Sequence, residues 1–134
     1  MSPDIPPGGR VAAVGVDITD VGRIRKMHER FGARLVGRIL SETEAAYCLT
    51  RPDPAPHIAA RFAAKEAVIK CLGGGCAPNE IEVVRALSGK PSVILHGRAA
   101  NRAAGRRILI SLSHLENLAA AFAVLLECDE VPNP

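Results

Sequence analysis

Two short segments restrict the possible fold and function of this chain more than any other feature, because each places a carboxylate on a predicted strand or helix. An apolar run typical of a buried strand ends at Asp17, within the Val-Gly-Val-Asp sequence of residues 14–17. Residues 62–70 are typical of a helix, on which Glu66 and Lys70 lie one turn apart. Carboxylates from different elements, brought together, form an oxygen-ligand site for a hard cation such as Mg²⁺, and a neighbouring lysine suits phosphate. The pattern indicates phosphoryl-type transfer.

Each of these residues also has a plainer interpretation. Asp17 could cap the helix that follows, although Asp20 is better placed for that role. Glu66 and Lys70 have the spacing of a favourable surface ion pair, which contributes roughly 0.2–0.5 kcal/mol. Because a buried carboxylate without a partner is costly, Asp17 favours a cation beside it. The alanines around Glu66 let a ligand approach the helix closely.

The chain has the size of a single domain. Its 134 residues are 48% hydrophobic, enough to build a core without metal or disulfide cross-links. The proline- and glycine-rich residues 1–10 predict a flexible lead-in, followed by one domain over 11–128 and a tail over 129–134. No stretch is apolar and long enough for a signal peptide or a membrane span, so we expect a cytoplasmic protein.

The four cysteines support the same compartment. Cys48, Cys71, Cys76 and Cys128 include no Cys-x-x-Cys pair and no zinc-ligand spacing. We expect reduced thiols, two of them filling the core.

Charge is more informative in its distribution than in its sum. The net charge is +3, and the chain holds 3 Phe, 1 Tyr and no Trp, too few aromatic rings for typical single-stranded nucleic-acid binding. A basic cluster between residues 23 and 38 would attract an acidic partner, although a solvated helix face is the plainer interpretation. Its members are Arg23, Arg25, Lys26, Arg30, Arg34 and Arg38.

Periodicity and turn residues predict an α+β fold, an antiparallel sheet with a long central helix and shorter helices packed on one side. The first strand, residues 11–18, is expected to be mostly buried, with small residues and Asp17 on the face toward a helix. Ser41 and Glu44 have the form of a capping box. Helices are predicted at 20–31, 41–49, 57–72 and 97–104, and strands at 81–87, 92–95 and 107–113. Residues 119–127 suit a strand or a helix.

The combination of segments resembles the phosphopantetheinyl transferases, and in particular their short bacterial branch, the holo-(acyl carrier protein) synthases. The resemblance runs from about residue 11 to about residue 127. It is carried by residues 14–18, 23–24, 38–41, 61–67, 89–91, 111–114 and 119–121, together with Glu44 and Lys70.

The resemblance implies transfer of 4′-phosphopantetheine from coenzyme A to a serine of apo-acyl carrier protein. It makes Asp17 and Glu66 ligands of Mg²⁺, makes Glu66 and Lys70 catalytic, and places Glu44 as a possible further carboxylate near the metal. The base could be Glu66 or a metal-bound hydroxide. It also implies a homotrimer with sites at the subunit interfaces. Coenzyme A contacts are implied at Arg61, Lys65, Gly73 and His114, and carrier docking at Arg23, Arg25, Lys26 and Arg30.

Two functions of other classes compete with this one. A non-catalytic module binding coenzyme A or a nucleotide could keep the same shape, although intact Asp17, Glu66 and Lys70 argue against it. A basic nucleic-acid-binding domain would show salt-dependent binding and no turnover of coenzyme A. Glycines 73–75 could simply end a helix or could hold phosphate through backbone amides. His114 could cap or pack.

Overall fold

The protein is described here by a computed structural model covering residues 9–127. The elements, in chain order, are β1 (Val11–Asp20), α1 (Val21–Phe31), α2 (Ala33–Ile39), α3 (Glu42–Leu49), α4 (Pro54–Cys71), β2 (Ile81–Arg85), β3 (Pro91–Leu95), α5 (Gly97–Ala103), β4 (Ile108–His114) and β5 (Leu118–Leu126). Residues 1–8 and 128–134, which hold most of the predicted lead-in, Cys128 and the predicted tail, lie outside the described residues.

The strands form two antiparallel sheets. The larger has the order β1-β5-β4, and β2 pairs with β3 in a separate hairpin. Asp17 is opposite Ala121 of β5, which in turn is opposite Leu112 of β4. The α+β prediction is confirmed, and the uncertain segment 119–127 is a strand, because its backbone pairs on both sides.

Helix α4 packs across one face of the larger sheet, and small side chains allow its close approach. Gly15 is the tightest point, since a Cβ atom built there would lie 2.1 Å from the carbonyl oxygen of Ala67. Ala121 and Ala123 of β5 are also buried on this side. The predicted close packing of a helix beside Asp17 is therefore confirmed, and it brings the end of β1 to the middle of α4.

The opposite face of β1 is not buried, and the expectation of a mostly buried strand is wrong for this chain. Val14, Val16 and Ile18 are 57%, 56% and 65% exposed. Alternation along the strand turns these side chains away from α4, and no described element covers them. A β-branched apolar face is thus left open to solvent.

The helix termini follow the sequence closely. Asp20 caps α1 by accepting hydrogen bonds from the backbone of Gly22 and Arg23, and the capping box of Ser41 and Glu44 is present. Two details differ from expectation. Helix α4 begins at Pro54 because proline is well suited to the first turn of a helix. The sequence patterns did not predict α2, which follows a turn at Gly32 with φ of +51°.

The thiols agree with expectation among the described residues. Cys48, Cys71 and Cys76 are free, and the first two are buried. Burial raises the pKa of Cys71 to about 11, so this thiol stays protonated at neutral pH. None of the described helices is both long and apolar enough to cross a membrane.

Candidate functional site

Asp17, Glu66 and Lys70 converge where β1 meets α4, and we call these three residues the carboxylate–lysine site. The Nζ atom of Lys70 donates a hydrogen bond to the carbonyl oxygen of Val16 at 2.8 Å and lies 3.4 Å from Oδ1 of Asp17. The hydroxyl of Thr19 donates to Oδ2 of Asp17 at 2.7 Å. The structure thus brings together the three residues that the sequence singled out.

The electrostatics of this site favour an added positive charge. Burial raises the pKa of Glu66, the charge of Asp17 raises it further, and Lys70 opposes both effects. The positive charge of Lys70 therefore offsets only part of the unfavourable effect of burial and of the Asp17 charge on ionised Glu66. A divalent cation bound between the carboxylates would relieve this repulsion.

The donor set fits Mg²⁺ in particular. No group of three or more His, Cys, Asp or Glu side chains that could hold a metal occurs among residues 9–127. Mg²⁺ typically takes one or two protein carboxylates and fills its remaining positions with water and substrate phosphate oxygens. Asp17 and Glu66 meet that requirement, whereas a closed cage of protein ligands does not exist here.

Lys65 and Glu44 occupy a different position from the one the sequence suggested. They form a buried pair, with Nζ of Lys65 2.7 Å from Oε1 of Glu44. Lys65 also donates to the carbonyl oxygen of Ile39, and Glu44 accepts from the backbone N–H groups of Ser41 and Val83. Burial lowers the pKa of Lys65, and Glu44 opposes that shift.

Within one chain both side chains are occupied by protein contacts, and the implied roles of Lys65 at coenzyme A and of Glu44 near the metal stay predictions. Lys65 is fully buried and Glu44 is 2% exposed, so in this structure neither side chain is open to coenzyme A or a metal. The pair joins α3 to α4. Adjacent residues of a helix point about 100° apart, which is why Lys65 faces Glu44 while Glu66 faces Asp17.

A second group of side chains, rich in arginine and histidine, surrounds Tyr47, and we call it the Tyr47 cluster. The guanidinium carbons of Arg51 and Arg61 lie 4.1 and 4.5 Å from the centre of the Tyr47 ring. The ring of His57 contacts Tyr47 edge-on at 5.7 Å and contacts His114 at 5.4 Å. Burial lowers the pKa of His57, and the positive neighbours His114, Arg61, Arg51 and Arg85 lower it further.

This cluster contains Arg61 and His114, which the sequence assigned, and adds Tyr47, Arg51 and His57, which it missed. The spacing of His57, Arg61 and Lys65 at four-residue intervals was the available signal, because it places all three on one side of α4. The Nε atom of Arg61 is buried and has no hydrogen-bond partner. It lies 3.8 Å from Oε2 of Glu44 in a buried ion pair, and Nη1 of Arg61 lies 3.5 Å from the carbonyl oxygen of His57.

The predicted docking residues separate into two sets. Arg23, Lys26 and Arg30 line a groove on α1 together with Met27 and Phe31, and we call it the basic groove. Arg25 instead makes an ion pair with Asp53, with 2.7 Å between Nη2 and Oδ2. Arg25 therefore ties α1 to the start of α4 and does not line the groove.

Gly73 follows Lys70 at the end of α4. Gly73, Gly74 and Gly75 all have positive φ angles, between 75° and 83°, which favour glycine. The guanidinium of Arg102 donates to the carbonyl oxygens of Leu72 and Gly73 at 3.0 and 3.4 Å. The glycines end the helix as expected, and the hydrogen bonds from Arg102 cap the C-terminus of α4.

Comparison with known proteins shows the family of this chain. Residues 13–123 match the model of the 4′-phosphopantetheinyl transferase superfamily. The chain belongs to this superfamily. Its relatives include the holo-[acyl-carrier-protein] synthases of Koribacter versatilis, 40% identical over 86% of this chain and 98% of the relative, and of Moorella thermoacetica, 44% identical over 83% and 91%.

Solved structures show the same architecture. The holo-ACP synthase of Plasmodium yoelii has a TM-score of 0.81 and 30% identity, covering 91% of this chain and 99% of that one. The holo-[acyl-carrier-protein] synthase of Helicobacter pylori, determined in complex with coenzyme A, has a TM-score of 0.74 and 28% identity, covering 84% and 98%.

Proposed function

We propose that this protein transfers the 4′-phosphopantetheine group of coenzyme A to a serine of an apo-acyl carrier protein and releases adenosine 3′,5′-bisphosphate. The observation that carries the proposal is the convergence of Asp17, Glu66 and Lys70 in a member of this superfamily. The carrier supplies the nucleophile, so the enzyme needs no nucleophilic serine or cysteine of its own. The buried, protonated Cys71 agrees with that division of roles.

Asp17 and Glu66 would hold a Mg²⁺ ion, in keeping with the donor set described above. When bound, this ion would neutralise charge on the pyrophosphate of coenzyme A. Lys70 lies beside Asp17 with its side chain 55% exposed, and its ammonium can therefore reach a phosphate oxygen. We assign Lys70 to stabilising the negative charge that develops on the leaving phosphate.

The reaction also requires a base. The serine hydroxyl loses its proton as its oxygen bonds to the phosphopantetheine phosphorus, and the bond from that phosphorus to the bridging pyrophosphate oxygen breaks. We assign the base to Glu66, because its carboxylate lies in the carboxylate–lysine site, where the serine hydroxyl must approach the pyrophosphate.

Coenzyme A carries another phosphate, on the 3′ position of its ribose. The Tyr47 cluster supports a site for it, since the exposed Arg51 stacks on the Tyr47 ring and the buried charge of Arg61 contacts the same ring. His57 and Glu66 are nine positions apart on α4, a rise of about 13 Å, and they lie on different sides of the helix. The Tyr47 cluster and the carboxylate–lysine site of one chain are thus poorly placed to bind the same coenzyme A molecule.

A site shared between neighbouring chains resolves this difficulty, and we propose a homotrimer. The exposed apolar face of β1 supports association, because Val14, Val16 and Ile18 need a cover. Phe122 and Leu118 of β5 are also partly exposed. The number of chains follows from the family resemblance. The free thiols among the described cysteines are in keeping with a cytoplasmic location, which we also propose.

The basic groove is the proposed docking site of the carrier. Arg23, Lys26 and Arg30 would attract an acidic surface, and the adjacent Met27 and Phe31 offer apolar contact. A mixed surface of this kind matches the usual organisation of protein interfaces, in which charged residues steer and apolar residues anchor.

A mass measurement tests the reaction. Apo-acyl carrier protein is incubated with this protein and coenzyme A, with Mg²⁺ or with excess chelator, and its intact mass is followed. We expect a phosphopantetheine-sized gain on the carrier only when Mg²⁺ is present, and none with a carrier whose acceptor serine is replaced by alanine. Binding of coenzyme A without any mass gain would instead support a non-catalytic binding module. An equal gain in chelator would remove the metal from the proposal.

A further inference from the structure

Tyr47 stands at the centre of the positive charges on its side of α4. It is the only tyrosine of the chain, and it lies on α3, the helix that the buried pair of Glu44 and Lys65 joins to α4. Its ring contacts the guanidinium groups of Arg51 and Arg61. Neither arginine belongs to the carboxylate–lysine site.

Stacking against a ring restrains a guanidinium without consuming its hydrogen bonds. The contact with an aromatic ring uses the flat face of the group, whereas its N–H donors point outward from the edge. A carboxylate partner would instead occupy those donors and cancel the charge. Arg51 is exposed, so its donors are open to a ligand. Arg61 is 5% exposed and its Nε atom lies 3.8 Å from Oε2 of Glu44, so it contributes positive charge behind the ring and no free donor.

We propose that Tyr47 is a positioning residue for cosubstrate binding, whose ring holds Arg51 ready to bind the phosphate of coenzyme A that does not react, with the buried Arg61 adding positive charge on the same ring. This inference rests on the proposed function. It attributes to the ring of Tyr47 the ordering of the exposed Arg51 side chain, which would otherwise lose rotamer freedom when the phosphate binds. It assigns no bond to substrate to the tyrosine itself.

The test compares coenzyme A with 3′-dephospho-coenzyme A as cosubstrates. Tyr47→Leu removes the ring, and Tyr47→Phe keeps it. We expect Tyr47→Leu to raise KM for coenzyme A about tenfold, to leave KM for the dephosphorylated analogue within about twofold, and to change kcat little. Tyr47→Phe should restore the parental preference between the two cosubstrates. Circular dichroism and thermal unfolding confirm that each variant is folded.

A double-mutant cycle sharpens the test. Arg51→Gln alone should raise KM for coenzyme A to a similar extent, and the Tyr47→Leu/Arg51→Gln double variant should lose little more, because both changes disable the same contact. Additive losses would overturn the proposal. So would equal rises in KM for both cosubstrates, or a phenylalanine variant that behaves like the leucine variant.

Direct binding separates this proposal from the proposed reaction. Adenosine 3′,5′-bisphosphate and adenosine 5′-monophosphate can be titrated calorimetrically without turnover. Tighter binding of the bisphosphate, reduced about tenfold by Tyr47→Leu, supports the positioning role even where no carrier is modified. If the parental protein modifies the carrier but binds both nucleotides equally, the proposed reaction stands and the role of Tyr47 is overturned.

Discussion

The two sides of α4 carry similar side chains and use them in different ways. On one side, Lys70 meets Asp17 with side-chain exposures of 55% and 17%. On the other, Lys65 meets Glu44 with exposures of 0% and 1%. The first pair is loosely held and open to a ligand, whereas the second is saturated by its own protein contacts. A lysine–carboxylate pair therefore indicates function only when its donors remain available.

The largest expected effect concerns the buried pair. Lys65→Met removes the closer of the two cations beside the buried Glu44 and leaves only Arg61, at 3.8 Å, which should cost about 3 kcal/mol of unfolding free energy. Urea unfolding measures this loss. The Glu44→Gln/Lys65→Met double variant keeps an acceptor for the backbone N–H groups and removes the charge, so it should recover most of the stability.

One outcome for Lys65→Met would contradict the contrast between the two sides of α4. If Lys65→Met unfolded at the parental urea midpoint and raised KM for coenzyme A, Lys65 would be a ligand contact and the two sides of α4 would share one site.

The carboxylate–lysine site should respond in activity and not in stability. Asp17→Asn and Glu66→Gln keep the shape of each side chain but remove its charge, and each should lower kcat/KM about 10³-fold at ordinary Mg²⁺ concentrations. Asp53→Asn is the control, since Asp53 is an exposed carboxylate paired with Arg25. Near-parental turnover by either variant would remove that residue from the metal assignment.

Lys70 provides a finer distinction within the same site. Lys70→Met retains the aliphatic stem and removes the ammonium. Steady-state kinetics should show kcat reduced about 10²-fold, with a smaller change in KM for coenzyme A. Unfolding free energy should stay within about 0.5 kcal/mol, because the group is exposed. Full activity in this variant would reduce Lys70 to a surface ion pair.

Substitutions in the basic groove test whether positive charge attracts the carrier at this groove or through the whole surface. Arg23→Glu and Arg30→Glu should each raise KM for the carrier about 3- to 10-fold and reduce its salt dependence, with KM for coenzyme A unchanged. Arg25→Glu changes the net charge equally but lies outside the groove. A rise in carrier KM for Arg25→Glu as large as for Arg23→Glu would mean that α1 acts only as a diffuse positive field.

The smallest effect is expected in the pH dependence of stability. Because burial and positive neighbours lower the pKa of His57 in the folded protein, the unfolded chain binds more protons as pH falls below about 6.5. Folded-state stability is therefore lost in that range. His57→Gln should flatten the fall of unfolding free energy between about pH 7 and pH 5. Identical slopes before and after the change would contradict this account.

The sequence by itself determined the elements whose signals are local. The cap at Asp20, the capping box of Ser41 and Glu44, and the glycines after α4 depend on neighbouring residues alone, and all are present in the structure. The convergence of Asp17 with Glu66 was also predictable, because Gly15 leaves space for a helix and spacing places Glu66 and Lys70 together.

Only the tertiary structure decided which charges are free. The packing of α1, α3 and α4 determines whether Lys65 pairs with Glu44 and whether Arg25 pairs with Asp53. It also determines whether two arginines contact the ring of Tyr47. The division of the strands into two sheets and the uncovered face of β1 depend equally on long-range contacts. Local patterns specify elements and their faces. Burial and pairing are set by partners far away in the chain, and these decide whether a charged side chain stabilises the fold or remains available to a ligand.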